Sequence, residues 1–161
     1  MARSCAFSGH RKIEKRRVDS VIEHIARAIN YAYNEGCRDF YCGGAVGFDT
    51  LAAREVLRFR LSHSDVRLVL YLPCLNQNEK WSESQSDAYE YILSSADEIK
   101  YVSEEYTKSC MKERNQALAE VADILIVYVG YSSSGSAQTA RIGERLGKRV
   151  FNLYPSVNGK I

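Results

Sequence analysis

The segment that most constrains the fold is a continuous apolar run, ILIVY at residues 124–128, which is followed by the small-residue turn SSSGSAQTA at 132–140. An apolar run without polar alternation is typical of a strand covered on both faces of a parallel sheet. A Ser/Gly turn at the carboxyl end of such a strand leaves backbone N–H groups free at the start of the next helix, where they favour a phosphate or another anion. The segment therefore predicts a buried parallel sheet with an anion site at its edge.

The rest of the chain alternates short strand-like runs with longer helical ones, which is the pattern of consecutive β-α-β units. Strands are predicted at residues 4–8, 39–42, 66–72, 98–102, 123–129 and 149–153. Helices are predicted at residues 15–34, 48–61, 79–94, 109–121 and 136–146, with Gly36 and Gly147 where helix C-caps belong. We expect one α/β domain over residues 1–161, an α/β/α sandwich of three layers around a mainly parallel sheet of about six strands.

The composition excludes several classes of protein. Hydrophobic residues make up 45% of the 161 residues and charged residues 26%, and no apolar run approaches the roughly 20 residues that cross a bilayer. The amino-terminal segment lacks the long apolar core of a signal peptide, so we expect a cytoplasmic protein without membrane contact.

The cysteines and the net charge bear on metal sites and on nucleic-acid partners. The cysteines form no CxxC pair, so they are predicted to be free thiols and no metal site is expected: Cys5, Cys37, Cys42, Cys74 and Cys110. A net charge of +2 does not by itself indicate a nucleic-acid partner. One basic cluster is the exception, and it either neutralises ligand phosphates or forms a solvated loop and first helical turn: Arg11, Lys12, Lys15, Arg16 and Arg17.

Four loops carry the residues that we select as ligand-binding candidates, because ligands of open parallel sheets bind beyond the carboxyl ends of the strands. The first two loops contribute Ser8, Gly9, His10 and Arg11, and then Gly43, Gly44, Ala45, Gly47 and Asp49. The other two contribute Arg114 and Asn115, and then Ser134, Gly135, Ser136 and Thr139. Trp81, the only tryptophan, is a further candidate, because an isolated aromatic ring in a polar loop can stack on a planar ligand.

Each candidate has a structural alternative that the sequence leaves open. Asp49 either caps a helix or binds a ribose hydroxyl, and helix capping alone explains one or two of the hydroxyl side chains in the last turn. Arg114 is either an anion ligand or a solvated helical residue, and Trp81 either stacks on a ligand or packs on its own domain. The Gly-rich turn at 43–49 is not GxGxxG, so we expect neither NAD nor another cofactor.

Taken together, the four loops resemble the SLOG superfamily, the Rossmann-like group that contains the SMF/DprA proteins and the LOG nucleotide phosphoribohydrolases. The resemblance covers almost the whole chain and is carried by SGHR at 8–11, GGAVGFD at 43–49, Arg114-Asn115 and SGSAQTA at 134–140. Within this group the chain is most similar to the YpsA-like branch of small stand-alone, uncharacterised bacterial proteins, whose proline loop is matched by Pro73, Gln77 and Trp81. The resemblance implies a Rossmann-like fold and a nucleotide-like ligand.

The resemblance leaves three hypotheses for the function and does not decide whether the protein is an enzyme. The first is a module that binds or senses a nucleotide or a nucleotide-derived ligand. The second is a LOG-like hydrolase of nucleotide N-glycosidic bonds, with Asp49 or Glu144 as catalytic candidates, although the glutamate of the LOG turn has no counterpart at its place here. The third is a DprA-like binder of single-stranded DNA that uses the basic cluster. Superfamily members often self-associate, so a homo-oligomer is also implied, with Tyr89, Tyr91 and Tyr106 as candidate contacts.

Overall fold

The computed structural model of the chain describes residues 3–130 and 134–159, and it contains one six-stranded sheet in which every pair of neighbouring strands is parallel. The strands are β1 Arg3–Gly9, β2 Cys37–Cys42, β3 Arg67–Leu72, β4 Glu98–Tyr101, β5 Ile124–Tyr128 and β6 Arg149–Asn152. Their order across the sheet is β4-β3-β2-β1-β5-β6. The predicted parallel sheet of about six strands is confirmed. Residues 132 and 133 of the predicted small-residue turn lie outside the described residues.

The helices are α1 Val18–Asn34, α2 Phe48–Arg60, α3 Glu83–Ser95, α4 Cys110–Val121, α5 Gly135–Arg145 and α6 Tyr154–Asn158. Two differ from the prediction at their start. Residues Lys15–Arg17 form a separate 3₁₀ turn before α1, and α3 begins four residues later than predicted because Ser82 and Gln85 form a capping box at its N-terminus. The short helix α6 is not predicted from the sequence; Pro155 lies in its first turn, where a missing N–H is tolerated.

The helices cover both faces of the sheet, as the three-layer prediction requires. On one face, buried side chains of α1, α2, α3 and α6 pack with Phe7, Phe40, Leu70 and Ile126 of the strands. On the other face, Leu118 of α4 packs with alternate residues of the same strands, and Ala140 of α5 lies against this cluster. Successive residues of β5 belong alternately to these two clusters, so both faces of the strand are buried. This burial explains why its sequence is continuously apolar.

The strand order reverses at β1, and this reversal positions the site. β1 pairs with β2 on one side and with β5 on the other, where Gly9 is opposite Tyr128 at the carboxyl ends of the two strands. The chain after β1 and the chain after β5 therefore leave the sheet beside each other on opposite faces, which opens a crevice between them.

Three further features concern the whole described chain. All five cysteines are buried free thiols. Among residues 3–130 and 134–159, no cluster of three or more histidine, cysteine, aspartate or glutamate side chains is arranged to hold a metal ion. Within the same ranges, no helix combines the length and the apolar character that a membrane span needs.

Candidate functional site

A cleft of about 390 Å³ lies at the crevice between the carboxyl ends of β1 and β5. It is bounded by the loops after β1, β2 and β5 and by the first turns of α4, and its lining residues are Ser8, Gly9, His10, Arg11, Lys12, Ala45, Asp49, Met111, Arg114, Asn115, Ser134, Gly135 and Ser136. The cleft thus brings together most of the candidates selected from the sequence, from all four loops.

Arg114 carries a charge into the cleft although the residue is only 6% exposed. Its Nε donates to Oδ1 of Asn115 over 2.9 Å, and its Nη1 donates to the carbonyl oxygen of Gly43. Burial lowers the pKa of the guanidinium, and the nearby negative charge of Asp49 offsets part of that effect. Arg114 nevertheless forms no ion pair with any carboxylate in the described part of the chain. Its charge is therefore held in place but not neutralised by a direct partner.

Asp49 lies in the first turn of α2 and is 4% exposed. Its Oδ2 accepts a hydrogen bond from the backbone N–H of Ala45 over 3.2 Å, whereas its Oδ1 has no hydrogen-bond partner of ordinary geometry among the described residues. Burial raises the pKa of this carboxyl from 3.8 to about 6, although the charge of Arg114 and the amides of Ala45 and Gly9 act in the opposite direction. Oδ1 is thus a buried acceptor without a partner of ordinary geometry, on a residue that lines the cleft.

Gly43 separates these two charged groups and is required there for reasons of space. A Cβ atom at this position would lie 2.6 Å from Nη1 of Arg114 and 3.0 Å from Oδ2 of Asp49. Any larger residue would displace one of the two side chains. Gly43 thus acts through packing beneath the cleft and does not line it.

The start of α5 forms the opposite wall of the cleft. Ser134 is the N-cap, and its hydroxyl accepts from the N–H of Ala137 over 3.1 Å and lies 3.1 Å from the hydroxyl of the buried Ser136. Asn115 reaches across from α4 and donates to the carbonyl of Gly135 over 3.4 Å. The same Asn115 orients Arg114, so the guanidinium and the positive end of α5 are joined by one side chain.

His10 closes the crevice from β1 as a neutral side chain. Its Nε2 accepts a hydrogen bond from the backbone N–H of Gly130 over 2.7 Å, so the ring proton must be on Nδ1 in this arrangement. Burial lowers the pKa of the imidazole, which favours the same neutral form. His10 consequently ties the chain after β5 to the chain after β1, at the mouth of the cleft.

The basic cluster predicted from the sequence is divided by the structure. Arg11 and Lys12 are exposed at the cleft. Arg16 instead pairs with Glu14 over 2.8 Å, and Arg17 donates to the carbonyl of Val157 over 3.2 Å. Only part of the cluster is therefore available to a ligand in the cleft.

Three other candidates lie outside the cleft and have structural roles. Gly44 and Gly47 have φ angles of +73° and +79°, and a Cβ on Gly47 would lie 2.3 Å from the carbonyl oxygen of Arg11. These glycines are required by the backbone of the turn and by its close approach to the loop after β1. Thr139 is fully buried, and its hydroxyl donates to the carbonyl of Gly135 within α5.

Trp81, Glu144 and the tyrosines are likewise placed away from the cleft. Trp81 packs edge-on against Tyr89, with the ring centroids 5.0 Å apart, so it lies on its own domain. Glu144 lines a different groove, between α4 and α5, together with Lys112 and Arg141. Tyr89 is buried and provides no surface for a second chain, whereas Tyr91 and Tyr106 are exposed.

Met111 is the cleft residue that the sequence reasoning missed. It lies three residues before Arg114 on α4, so the two side chains share one face of the helix, and Nη2 of Arg114 lies 3.9 Å from the sulfur of Met111. The helical spacing of the two residues is the signal that could have identified it.

Comparison with known proteins places these loops in a family. The family model described as the YspA SLOG family matches residues 6–142. A UPF0398 protein of Bacillus thuringiensis (strain Al Hakam) and one of Bacillus cereus (strain AH187) are each 26% identical over 121 residues, which are 74% of this chain. The match spans 66% of each relative, so this chain covers just under two thirds of their length.

Solved structures share the fold of the chain. The DNA processing protein A of Helicobacter pylori, described for its mode of binding single-stranded DNA, superimposes with a TM-score of 0.67 at 20% identity, over 92% of this chain and 64% of that one. The DNA processing protein A of Streptococcus pneumoniae gives a TM-score of 0.65 at 20% identity, over 93% of this chain and 50% of that one. At this level of identity the likeness shows a common Rossmann-like fold.

Proposed function

The chain belongs to the YspA SLOG family, and from this membership and the chemistry of the cleft we propose that the protein binds a nucleotide or a nucleotide-derived ligand. The observation that carries the proposal is the buried guanidinium of Arg114, which faces the cleft without an ion-pair partner among the described residues. A buried charge is costly unless it is paired, and a phosphate group supplies the opposite charge and two oxygens that can accept the parallel N–H bonds of a guanidinium.

The start of α5 supports the same placement of the phosphate. Its first backbone N–H groups and the hydroxyl of Ser136 lie on the wall of the cleft that Asn115 connects to Arg114. The positive end of the helix adds to the attraction for an anion. Arg11 and Lys12, exposed at the cleft, provide further positive charge for a phosphate or diphosphate.

Asp49 gives the proposed ligand its second point of attachment. Its unpartnered Oδ1 is a hydrogen-bond acceptor, and an anion cannot donate to it, so the group beside it must carry an O–H or an N–H. A ligand that satisfies both Arg114 and Asp49 therefore has an anionic group close to a hydroxyl. The ribose phosphate of a nucleotide has both.

A small ligand is favoured over a nucleic acid, although the similar DNA processing protein A of Helicobacter pylori is described as binding single-stranded DNA. A strand needs a continuous basic track, whereas Arg16 is paired with Glu14 and only Arg11 and Lys12 of the basic cluster reach the cleft. Oligonucleotides are the comparison ligands in the test below.

Hydrolysis of an N-glycosidic bond is a second candidate function, and Asp49 is the observation in its favour. Its carboxyl has a pKa raised by burial to about 6 and an oxygen without a partner, which are properties of a general acid or base. Release of free base from a nucleotide, measured by chromatography and abolished in Asp49→Asn, would establish the hydrolase. Tight binding without base release would support binding as the only function.

The binding proposal is tested by calorimetric titration of the chain with ribose 5-phosphate, nucleoside monophosphates, ADP-ribose and a single-stranded oligonucleotide. We expect at least one mononucleotide to bind with its affinity lowered on the order of a hundredfold in Arg114→Ala, the loss of a charged, buried hydrogen-bonding group. Arg11→Ala, at an exposed position of the cleft, should weaken binding less. Arg54→Ala, on the exposed side of α2, is the matched control and should bind as the unchanged chain does. Equal binding by all variants, or no binding, would refute the proposal.

A further inference from the structure

A second pocket of about 570 Å³ adjoins the cleft, between the loop after β3 and the loop after β4. We name it the β3–β4 pocket. Its lining includes Asn76, Gln77, Glu104, Glu105 and Tyr106, and it shares Met111 with the cleft. No residue of this pocket other than Met111 belongs to the cleft described above.

The two sites are close enough for one small ligand to reach both. Met111 lines the cleft and the β3–β4 pocket, and its sulfur lies 3.9 Å from Nη2 of Arg114. Both sites open at the carboxyl edge of the sheet, and Met111 stands between them. A phosphate at Arg114 therefore leaves the base of the same nucleotide within reach of the β3–β4 pocket.

The β3–β4 pocket contains acceptor groups that the protein itself does not use. Nε2 of Gln77 is bound to the carbonyl of Gly44 and to the hydroxyl of Tyr89, each over 3.2 Å, and this fixes the orientation of the amide. Its Oε1 is buried and has no partner among the described residues. Glu79, Glu104 and Glu105 of the pocket form no ion pair with any described residue, and neither does Lys80, which also lines it. Carboxylate acceptors therefore outnumber the charged donor at this end, which favours a ligand with N–H donors.

The pocket also has surfaces for a flat ring. The side chain of Tyr106 is 71% exposed at its rim, and the thioether of Met111 lies at the boundary with the cleft. An exposed tyrosine offers an aromatic face on which a base can stack. Stacking and hydrogen bonding are therefore both available to a nucleobase.

A groove on the other side of the cleft, lined by Val46, Thr50 and Gln85, is the competing location for the base. Two of its polar groups are already engaged: the hydroxyl of Thr50 donates to the carbonyl of Ala45, and the amide oxygen of Gln85 accepts from the N–H of Ser82 in the capping box. Arg11 and Lys12 also line that groove, but these cations are donors and offer no acceptor to an amino group, so the carboxylates favour the β3–β4 pocket for a base that carries one.

Resting on the nucleotide function proposed above, we infer that the β3–β4 pocket receives the base of the nucleotide and selects bases with an exocyclic amino group, such as adenine and cytosine. The amino group would donate to the carboxylates and to Oε1 of Gln77. Hypoxanthine and uracil carry a keto oxygen at the corresponding place, and this oxygen would face acceptors without a proton between them. The acidic pocket also repels the phosphate, which orients the ligand with its anionic end at Arg114.

Calorimetric titrations with AMP, IMP, CMP, UMP and ribose 5-phosphate test this inference. We expect AMP to bind more tightly than IMP, or CMP more tightly than UMP, by about tenfold or more. The double variant Glu104→Gln, Glu105→Gln should reduce this ratio of affinities. Tyr106→Ala should lower the affinity for the nucleotides and leave the affinity for ribose 5-phosphate unchanged. Glu120→Gln, an exposed position at the far end of α4, is the matched control and should preserve every affinity.

The outcomes separate this inference from the function on which it rests. If all five ligands bind equally and Arg114→Ala weakens them all, the phosphate site stands and the base pocket is refuted. If the amino preference is present but the Glu104 and Glu105 substitutions and Tyr106→Ala do not alter it, the base lies elsewhere and the inference is also overturned. If none of the five ligands binds, the nucleotide function itself fails and the base pocket fails with it.

Discussion

Arg114 and Asp49 approach each other across Gly43 without forming an ion pair. A Cβ atom on Gly43 would lie 2.6 Å from Nη1 of the arginine and 3.0 Å from Oδ2 of the aspartate, so only glycine leaves this space open. The two charges influence each other, since the guanidinium favours ionisation of Asp49 and the carboxylate favours the charged form of Arg114. Both side chains keep hydrogen-bonding groups that no described residue satisfies. The proposed ligand would satisfy them with its anionic group and a hydroxyl.

Gly43→Ala should therefore damage both stability and binding. The added methyl group displaces Arg114 or Asp49, at a cost of about 1–3 kcal/mol in the free energy of unfolding, and it moves the guanidinium from its binding position. Urea denaturation and nucleotide titration measure the two effects. Gly147→Ala is the control: its φ of +74° makes alanine strained, at about 1 kcal/mol, but no atom lies within 4 Å of the new methyl group. Unaltered nucleotide affinity in Gly43→Ala would contradict this account of the cleft.

Asp49→Asn should stabilise the ligand-free protein at neutral pH. The folded-state pKa of about 6 lies above the ordinary value of 3.8, so the folded chain binds more protons than the unfolded chain between these values. The contribution of Asp49 to stability is consequently present below pH 3.8 and lost as the pH rises through 6. At pH 7 to 8 the variant should exceed the native chain by about 1–3 kcal/mol, and the difference should disappear near pH 4.

Urea denaturation of both chains between pH 4 and pH 8 measures this difference. Asp87→Asn, an exposed position on α3, serves as the matched control and should leave stability within about 0.5 kcal/mol at every pH. The same Asp49→Asn variant should bind the nucleotide less tightly, because the amide presents the ligand hydroxyl with a poorer acceptor. A variant less stable than the native chain at pH 8 would show that Asp49 is not an uncompensated buried charge.

His10 should be mainly neutral at pH 6.5, with its proton on Nδ1. The N–H of Gly130 donates to Nε2, and burial lowers the pKa of the ring from its ordinary 6.5. Since the depressed pKa favours the neutral folded state, the stability that His10 contributes is present above pH 6.5 and is lost as the pH falls through the folded-state pKa. Nitrogen-15 correlation spectra of the imidazole report the tautomer and its titration. A ring protonated on Nε2, or one that titrates above 6.5, would contradict the hydrogen bond to Gly130.

Ser134→Ala and Ser82→Ala should be equally destabilising but should differ in binding. Each serine caps a helix with its hydroxyl, α5 and α3 respectively, and loss of an N-cap typically costs about 1 kcal/mol. Of the two serines, only Ser134 lies at the cleft, so only its replacement should lower the affinity for the nucleotide. Thermal denaturation and calorimetry on the same samples make the comparison. Equal nucleotide affinities in the two variants would remove the start of α5 from the site.

The sequence predicts the sheet and the cleft well because both depend on local patterns. The apolar run 124–128 forms β5, buried on both faces, and loops selected at strand ends converge because the carboxyl ends of parallel strands share one edge. What the sequence could not supply are roles that depend on long-range packing. Trp81 is in a polar loop but its ring lies against Tyr89.

The glycines of the site also have long-range partners that the sequence does not identify. GGAVG at 43–47 indicates a sharp turn or a close approach of the backbone, but the pattern does not indicate which group it approaches. Gly43 makes room for Arg114, 71 residues away, and Gly47 makes room for the backbone of Arg11. The short helix α6 is another long-range case, since its residue Val157 is buried by contact with the core rather than by any strong helical pattern of its own.

A crystal structure of the chain with AMP tests the central claim most directly. The account predicts density for the phosphate within hydrogen-bonding distance of the Arg114 guanidinium and of the backbone N–H of Ser136, with a ribose hydroxyl beside Oδ1 of Asp49. A phosphate bound elsewhere, such as in the groove that contains Lys112 and Arg141 between α4 and α5, with Arg114 unchanged, would contradict it.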